Sequence, residues 1–435
     1  MAGSRIAGMR PRLSVLACAI LIAVAVIALS MRQAHDSALA TTALTQAPKT
    51  VTVDAATDEA FVTTYPMAAS PQRGQVSVLD TRTGAVVTTI ATLTNPFATA
   101  VDLRARRVVV LNNDSTVSLL AQGGVRVLAT IPLKNAALGL TLDASRGHSF
   151  VLRSNNTVSS TDVYLFDTRT GRQLRVTTVP VFAVPGVIAL DRGDGHILVA
   201  GTSGGIGAMS IVDAGTGRLL ATRQIPLASM PRALAVDEGL HHAFLADPGG
   251  GVVLMLDTRT GGVLHRVAVG AYPQAVAVDA PARRAFVLSV DRAGSGRVGV
   301  LDAGSGRLLR ATAVGRNPTA IVVDVRHNRV VVTNAGAVDG RFMPVGDGSM
   351  SILDATTGGV IRTIPVHGGP VAVGIDEARD RAIVASVVHD RDRGAPLDQM
   401  RAIVARLFGQ PGGSVGSRRA GDETGSVSLF DLAPY

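Results

Sequence analysis

Pro273-Gln-Ala-Val-Ala-Val-Asp279, followed by Arg284-Ala-Phe-Val-Leu288, Val298-Gly-Val-Leu-Asp302 and Gly304-Ser-Gly-Arg-Leu-Leu309, reads as four short strands joined by three turns. Versions of this stretch recur along nearly the whole chain at a period of about 40–50 residues, the mark of stacked or radially arrayed units. Its first half can be followed through Asp54, Asp102, Asp143, Asp191, Asp237, Asp279, Asp324 and Asp376. Its second half can be followed through Asp80, Asp167, Asp213, Asp257, Asp302, Asp354 and Asp431. The second copy has lost the acid and the Thr-Gly turn, running Val117-Ser-Leu-Leu-Ala-Gln-Gly-Gly124 instead. Eight copies result.

Each copy has a physical logic. Ala275-Val-Ala-Val-Asp279 and Arg284-Ala-Phe-Val-Leu288 are apolar almost throughout, as inner strands packed on both faces should be. In Leu256-Asp-Thr-Arg-Thr-Gly261 the Asp carboxylate can accept backbone N–H bonds two residues on, and the Gly takes a positive φ. Val263-Leu-His-Arg-Val-Ala-Val269 alternates apolar and polar residues, as an outer edge strand does. Four-stranded sheets repeating in this way close radially, so the expected fold is an all-β propeller of eight four-stranded blades.

The chain resembles the YVTN-type β-propeller repeat proteins, with their lactonase-like and surface-layer branches. The name-giving motif stands nearly intact as Val331-Val-Thr-Asn334, with looser forms at Phe61-Val-Thr-Thr64 and Phe286-Val-Leu-Ser289. The Leu-Asp-x-x-Thr-Gly turn at Asp80, Asp167 and Asp257 is the other half of that signature. The resemblance covers roughly residues 38–435 and speaks for fold more than function, because a fold hosts many functions. Propellers of this kind usually have seven blades, which is the alternative to the eight counted here. With zero Trp, the tryptophan-docking and Trp-Asp propeller classes are excluded.

Arg5, Arg10 and Arg12 precede Leu13–Leu29, an apolar run without a charge and interrupted only by Ser14. That run is adequate for a membrane span, and the arginines before it place everything after Ser30 outside the cytoplasm. Residues 1–30 therefore read as a signal anchor, giving a single-pass cell-membrane protein. Cleavage after Ala38-Leu-Ala40 would instead make it a secreted one, and Val15-Leu-Ala-Cys18 faintly resembles a lipoprotein box. Cys18 is the only cysteine, so the exported part carries no disulfide or thiolate chemistry.

After a tether at 31–37, Leu39–Pro48 and Val51-Thr-Val-Asp54 align with Leu309–Pro318 and Ile321-Val-Val-Asp324. The first copy thus begins with a fourth strand, whereas the last ends at Val427-Ser-Leu-Phe-Asp431 without one. Joining the two closes the ring and removes its exposed edges.

The first-to-second-strand turns are short. Five positions after each repeat Asp stand Glu59, Arg107, His148, His196, His242, Arg284, Arg329 and Arg381. A rim of positive charge is one reading of this set. A repeat side chain bonding a turn carboxylate or carbonyl is the other. The histidines in the set lie on separate blades and do not form a metal cluster.

The second-to-third-strand loops are long in four contiguous copies: 65–75, 290–297, 335–349 and 387–426. The longest carries Leu397, Met400, Ile403, Val404, Leu407 and Phe408 at helical spacing. Loops on a rigid scaffold carry binding, so this mouth is the candidate site. Its candidate residues are Tyr65, Arg73, Arg292, Arg297, Asn334, Asp339, Arg341, Asp347, Asp390, Arg391 and Arg393.

No Gly-x-Ser-x-Gly elbow, phosphate loop, Cys-x-x-Cys-His site or His-Glu-x-x-His helix appears, so catalysis is not expected. The family's lactonase-like branch implies the alternative, a hydrolase with a divalent cation held by mouth carboxylates. No other cofactor is expected. Without the arginines at 5, 10 and 12, the formal charge of +9 falls to +6. An exported basic domain suggests an anionic envelope polymer or a protein partner, with nucleic acid not expected outside the cytoplasm. Residues 13–29 would supply the membrane contact, and the protein is expected to be a monomer.

Overall fold

The computed structural model describes residues 38–433, apart from 67–72, 93–94, 124–125, 156–159, 181–183, 204–205, 341–342 and 390–422. The N-terminal apolar segment, the tether and the expected insert helix lie outside the described residues. Among those described, no helix is long and apolar enough to cross a membrane.

The chain forms eight antiparallel sheets of four strands each. Blade 1 consists of Ala47–Asp54, Glu59–Tyr65, Gln75–Asp80 and Val86–Ala91, hydrogen-bonded in that order. The first strands of blades 2 to 8 are Pro96–Asp102, Ala137–Asp143, Val184–Asp191, Ala233–Asp237, Pro273–Asp279, Pro318–Asp324 and Gly369–Asp376. These strands lie against one another around the ring, which makes them the inner wall. Second strands such as Glu59–Tyr65 are buried along their length, while fourth strands such as Val263–Ala268 are exposed along most of theirs, without the alternation expected from sequence. Blade 7 carries a small hairpin, Ala337–Val338 with Pro344–Val345, between its second and third strands.

The ring closes as its repeat alignment requires. Ala40–Leu44 is the fourth strand of blade 8 and pairs with Glu423–Asp431 in the register Ala40↔Leu429, Thr42↔Val427, Leu44↔Gly425. The Thr42 hydroxyl donates to Gly84 O of blade 1 at 2.8 Å, so the closing strand also bridges the seam. Eight blades, not seven, make the propeller.

Burial is organised by junction. Eight apolar clusters fill the core, each shared by two adjacent blades. Phe61, Phe150, Phe244 and Phe286 occupy the same place in their repeats and are fully buried. Truncating any of them to Ala would cost about 3–5 kcal/mol through lost transfer energy and the cavity left behind.

The eight repeat Asp residues that end the first strands are 0–2 % exposed. In each, Oδ1 accepts backbone N–H bonds from two or three residues on, as with Ala56 on Asp54 at 2.9 Å and Leu240 on Asp237 at 3.0 Å. The turn then needs a left-handed residue, four places after the Asp. His241 takes φ 57° there and Asn328 takes 55°. The carbonyl of that residue accepts the amide just after the third strand, as in Thr258 N to His241 O at 2.9 Å.

Of the basic residues five places after each Asp, His148, His196, His242, Arg107, Arg329 and Arg381 each donate to a backbone carbonyl in the next blade. They are inter-blade ties. The reading as a repeat side chain bonding a turn carbonyl is the one the structure supports.

Candidate functional site

Because first strands run toward the Asp rim and second strands run back, the second-to-third-strand loops open on the opposite face. A concavity of about 320 Å³ lies there between blades 6, 7, 8 and 1. Val290, Val338, Met343, Pro344, Val371 and Val387 form apolar wall, and Lys49 and Tyr65 stand on the blade 1 side. Lys49 Nζ is 5.8 Å from the centre of the Tyr65 ring and 5.4 Å from that of Phe97 in blade 2. The ring faces attract the ammonium. The side chain reaches solvent at the mouth, yet the crowding around it strips water from the charge and lowers its pKa below the ordinary lysine value.

The sequence-derived candidates distribute unevenly. Tyr65 lines this concavity. Arg292 donates to the Tyr272 hydroxyl at 3.2 Å beside a shallower groove between blades 5 and 6. Arg297 is exposed on the third strand of blade 6, and Arg73 is exposed near the seam with its carbonyl bonded by Gln46.

Asp339 accepts the Met343 amide at 3.0 Å inside the blade 7 hairpin, and Asp347 accepts His367 and Gly368, each at 2.9 Å. Asn334 is fully buried and donates to Ser349 and Ser351, as its counterpart Asn112 does to Thr116 and Ser118. It therefore holds strands together inside the blade rather than facing the mouth. Arg341, Asp390, Arg391 and Arg393 lie outside the described residues.

Lys49 was not among the residues read from sequence, although a signal existed. Its position, five before the repeat Asp, is Phe97, Leu138, Gly186, Arg232, Gln274, Thr319 and Val371 in the other copies. A position that varies this widely within a repeat is free of the fold's demands. Two cations and no acid occur there, at the mouth end of the inner wall.

Carboxylates do not converge at the mouth among the described residues. The two groups close enough to hold an ion lie on the Asp rim: Asp191 with Asp194 and His241, and Asp324 with His327 and Asp380. In the second, Arg329 already bonds both Asp324 and Asp380.

No protein-family model matches the sequence, and no curated protein matches it. Solved structures do resemble it. Saccharomyces cerevisiae Sqt1 superposes with a TM-score of 0.63 at 11% identity, covering 91% of this chain and 99% of that one. BamB from Moraxella catarrhalis gives 0.57 at 14% identity, covering 90% and 99%. The computationally designed Ika8 protein gives 0.60 at 17% identity, covering 79% and 94%. At such identities the likeness establishes the fold alone.

Proposed function

We propose that the protein is an exported binding module, anchored through residues 13–29, whose loop-rich mouth takes an anionic segment of an envelope polymer or protein partner. The observation that carries this reading is Lys49, a cation held by two aromatic rings at the edge of an apolar concavity. A partly desolvated ammonium beside apolar wall favours an anion that brings apolar groups with it. Arg232 stands at the matching position of blade 5, across the ring from Lys49, and is a second cation at the mouth end of the inner wall. The YVTN-type resemblance, whose motif falls in the second strand of blade 7 (Arg329–Asn334), is compatible with this and names no ligand. The hydrolase alternative is not carried forward, since Asp339 is tied into the blade 7 hairpin and Asp347 to His367 and Gly368 on the link to blade 8.

The test is a thermal-shift titration with polyglutamate and with polyglycerol phosphate, on wild type and Lys49→Met. A ligand that binds only the folded state at a hundred times its Kd adds about 2.7 kcal/mol. The expected result is an upward shift with at least one polymer that Lys49→Met abolishes. No shift with either, or one that survives the substitution, overturns the reading.

A further inference from the structure

Each junction between neighbouring blades brings three positions together on the Asp rim. They are the buried Asp that ends one blade's first strand, the residue three places after it, and the left-handed turn residue of the next blade. Three of the junctions hold an arginine on the buried carboxylate. Arg146 meets Asp143 at 2.6 Å, Arg329 meets Asp324 at 2.5 Å and Arg379 meets Asp376 at 3.2 Å. Arg329 and Arg379 also bond the turn residue of the next blade, Asp380 and Asp58. The fold thus has a place for positive charge at this point of the repeat.

Between blades 4 and 5 the three positions are Asp191, Asp194 and His241, and no described arginine bonds Asp191. Arg192 is paired instead with Glu238 at 3.0 Å. Asp191 is fully buried, with Oδ1 accepting the Asp194 amide at 3.2 Å. Its Oδ2 is shut off from solvent and has no hydrogen-bond partner. A buried carboxylate oxygen left in that condition is costly, and it calls for a cation.

We propose that this junction is a binding site for a divalent transition cation, with Zn²⁺ as its representative, held by Asp191, Asp194 and His241. The three donor atoms lie within 4.8 Å of one another. Ligands at ~2.1 Å from a tetrahedral ion sit roughly 3.4 Å apart, so small side-chain rotations complete the shell. Two carboxylates and an imidazole are the donor set that suits such an ion. His241 Nδ1 now bonds Asp194 Oδ2 at 2.8 Å, and taking up the ion moves the ring hydrogen to Nε2. The Thr258 hydroxyl, 3.4 Å from Asp194 Oδ2, steadies that carboxylate. The Asp194 and His241 side chains are 18% and 31% exposed, which gives the ion a path from solvent and leaves a fourth position for water.

The repeat supplies its own controls. Asp102 and Asp237 also have an unpartnered Oδ2. Their junctions, however, offer Ala105 with Gly147 and Leu240 with Arg283, so each has a single carboxylate and no second ligand. Gly147 and Gly195 stand in other blades where His241 stands in blade 5, and Ala105 and Ala282 stand where Asp194 does. His241→Gly and Asp194→Ala therefore keep a turn the fold already uses.

The experiment is a calorimetric titration of the chelator-stripped full-length protein with Zn²⁺, with Co²⁺ absorption as a report on coordination geometry. One saturable equivalent is expected, weakened about tenfold or more by each of Asp191→Asn, Asp194→Ala and His241→Gly. His367→Ala, which removes the exposed pair with Asp347, should leave that equivalent intact. Metal-free melting curves on the variants separate a lost site from a lost fold. Absence of saturable Zn²⁺ binding overturns the proposal. So does binding that none of the three variants weakens, since the ion would then sit elsewhere on the chain.

Discussion

The imidazole of His148 in blade 3 donates its Nδ1 hydrogen to the carbonyl oxygen of Ala214 in blade 4, 3.0 Å away. A carbonyl only accepts, so the contact fixes the ring's tautomer. The same tie joins His196 to Thr258 at 3.3 Å and His242 to Ala303 at 2.8 Å. The apolar faces through which the blades also meet have no directional preference, so direction comes from these bonds and from the arginine ties at other junctions. These bonds set the rotation of one blade on the next.

Removing one tie should cost little, and removing two should cost the sum. A net hydrogen bond contributes about 1 kcal/mol, and distant sites add. We expect His148→Ala to lower stability by about 1 kcal/mol and His148→Ala with His242→Ala by about twice that. Urea denaturation monitored by circular dichroism would show it. A double variant no weaker than either single would mean that the ties are ornamental.

Acid should loosen the third-to-fourth-strand turns. Asp80 is pulled down to about 2, first by its hydrogen bond with the Arg82 side chain. The Thr170 and Thr216 hydroxyls hold Asp167 and Asp213 below the ordinary carboxylate value, and the Ser305 amide does the same for Asp302. A folded pKa depressed below the unfolded one contributes stability that is present above the unfolded value and lost as pH falls through the folded one. The urea midpoint should therefore drop between about pH 4 and pH 2. Asp80→Asn should drop less over that window, and parallel curves for the two proteins would count against the assignment.

Blade 3 contains a buried ion pair, Arg153 with Asp162, whose side chains are 7% and 6% exposed. The Thr178 hydroxyl bonds Asp162 at 2.7 Å, and Arg153 lies over the Tyr164 ring at 5.2 Å. Asp162→Ala strands a buried guanidinium and should cost about 3–5 kcal/mol, whereas Arg153→Met with Asp162→Val should recover most of it. A single variant as stable as wild type in a urea titration would refute this.

Deleting the residues before Gln46 should open the ring. Glu423–Asp431 would then present an unpaired edge, the kind that recruits other chains. A lower melting temperature and concentration-dependent association on a sizing column are expected, both reversed by a peptide spanning residues 38–46. An unchanged monomer with an unchanged melting temperature would show that closure is dispensable.

The repeat count and the turn chemistry were legible in the sequence because each is local. Asp257-Thr-Arg-Thr-Gly261 specifies its turn within five residues, and the apolar pattern of Arg284-Ala-Phe-Val-Leu288 is satisfied by its own blade and the next. The surplus strand at 40–44 could be matched to a deficit near 431 by counting alone. What tertiary structure alone decided is which side chains meet across a junction. Asn334 reads like a loop residue beside Ala335 and lies inside the blade, while Lys49 reads like a strand residue and stands at the mouth. Asp191 and His241 are fifty residues apart and in different repeats. Only the packing of blade 4 against blade 5, which fixes the angle between them, brings their ligand atoms within 4.8 Å. Local pattern determines the blade, and the geometry between blades determines what the blades can hold.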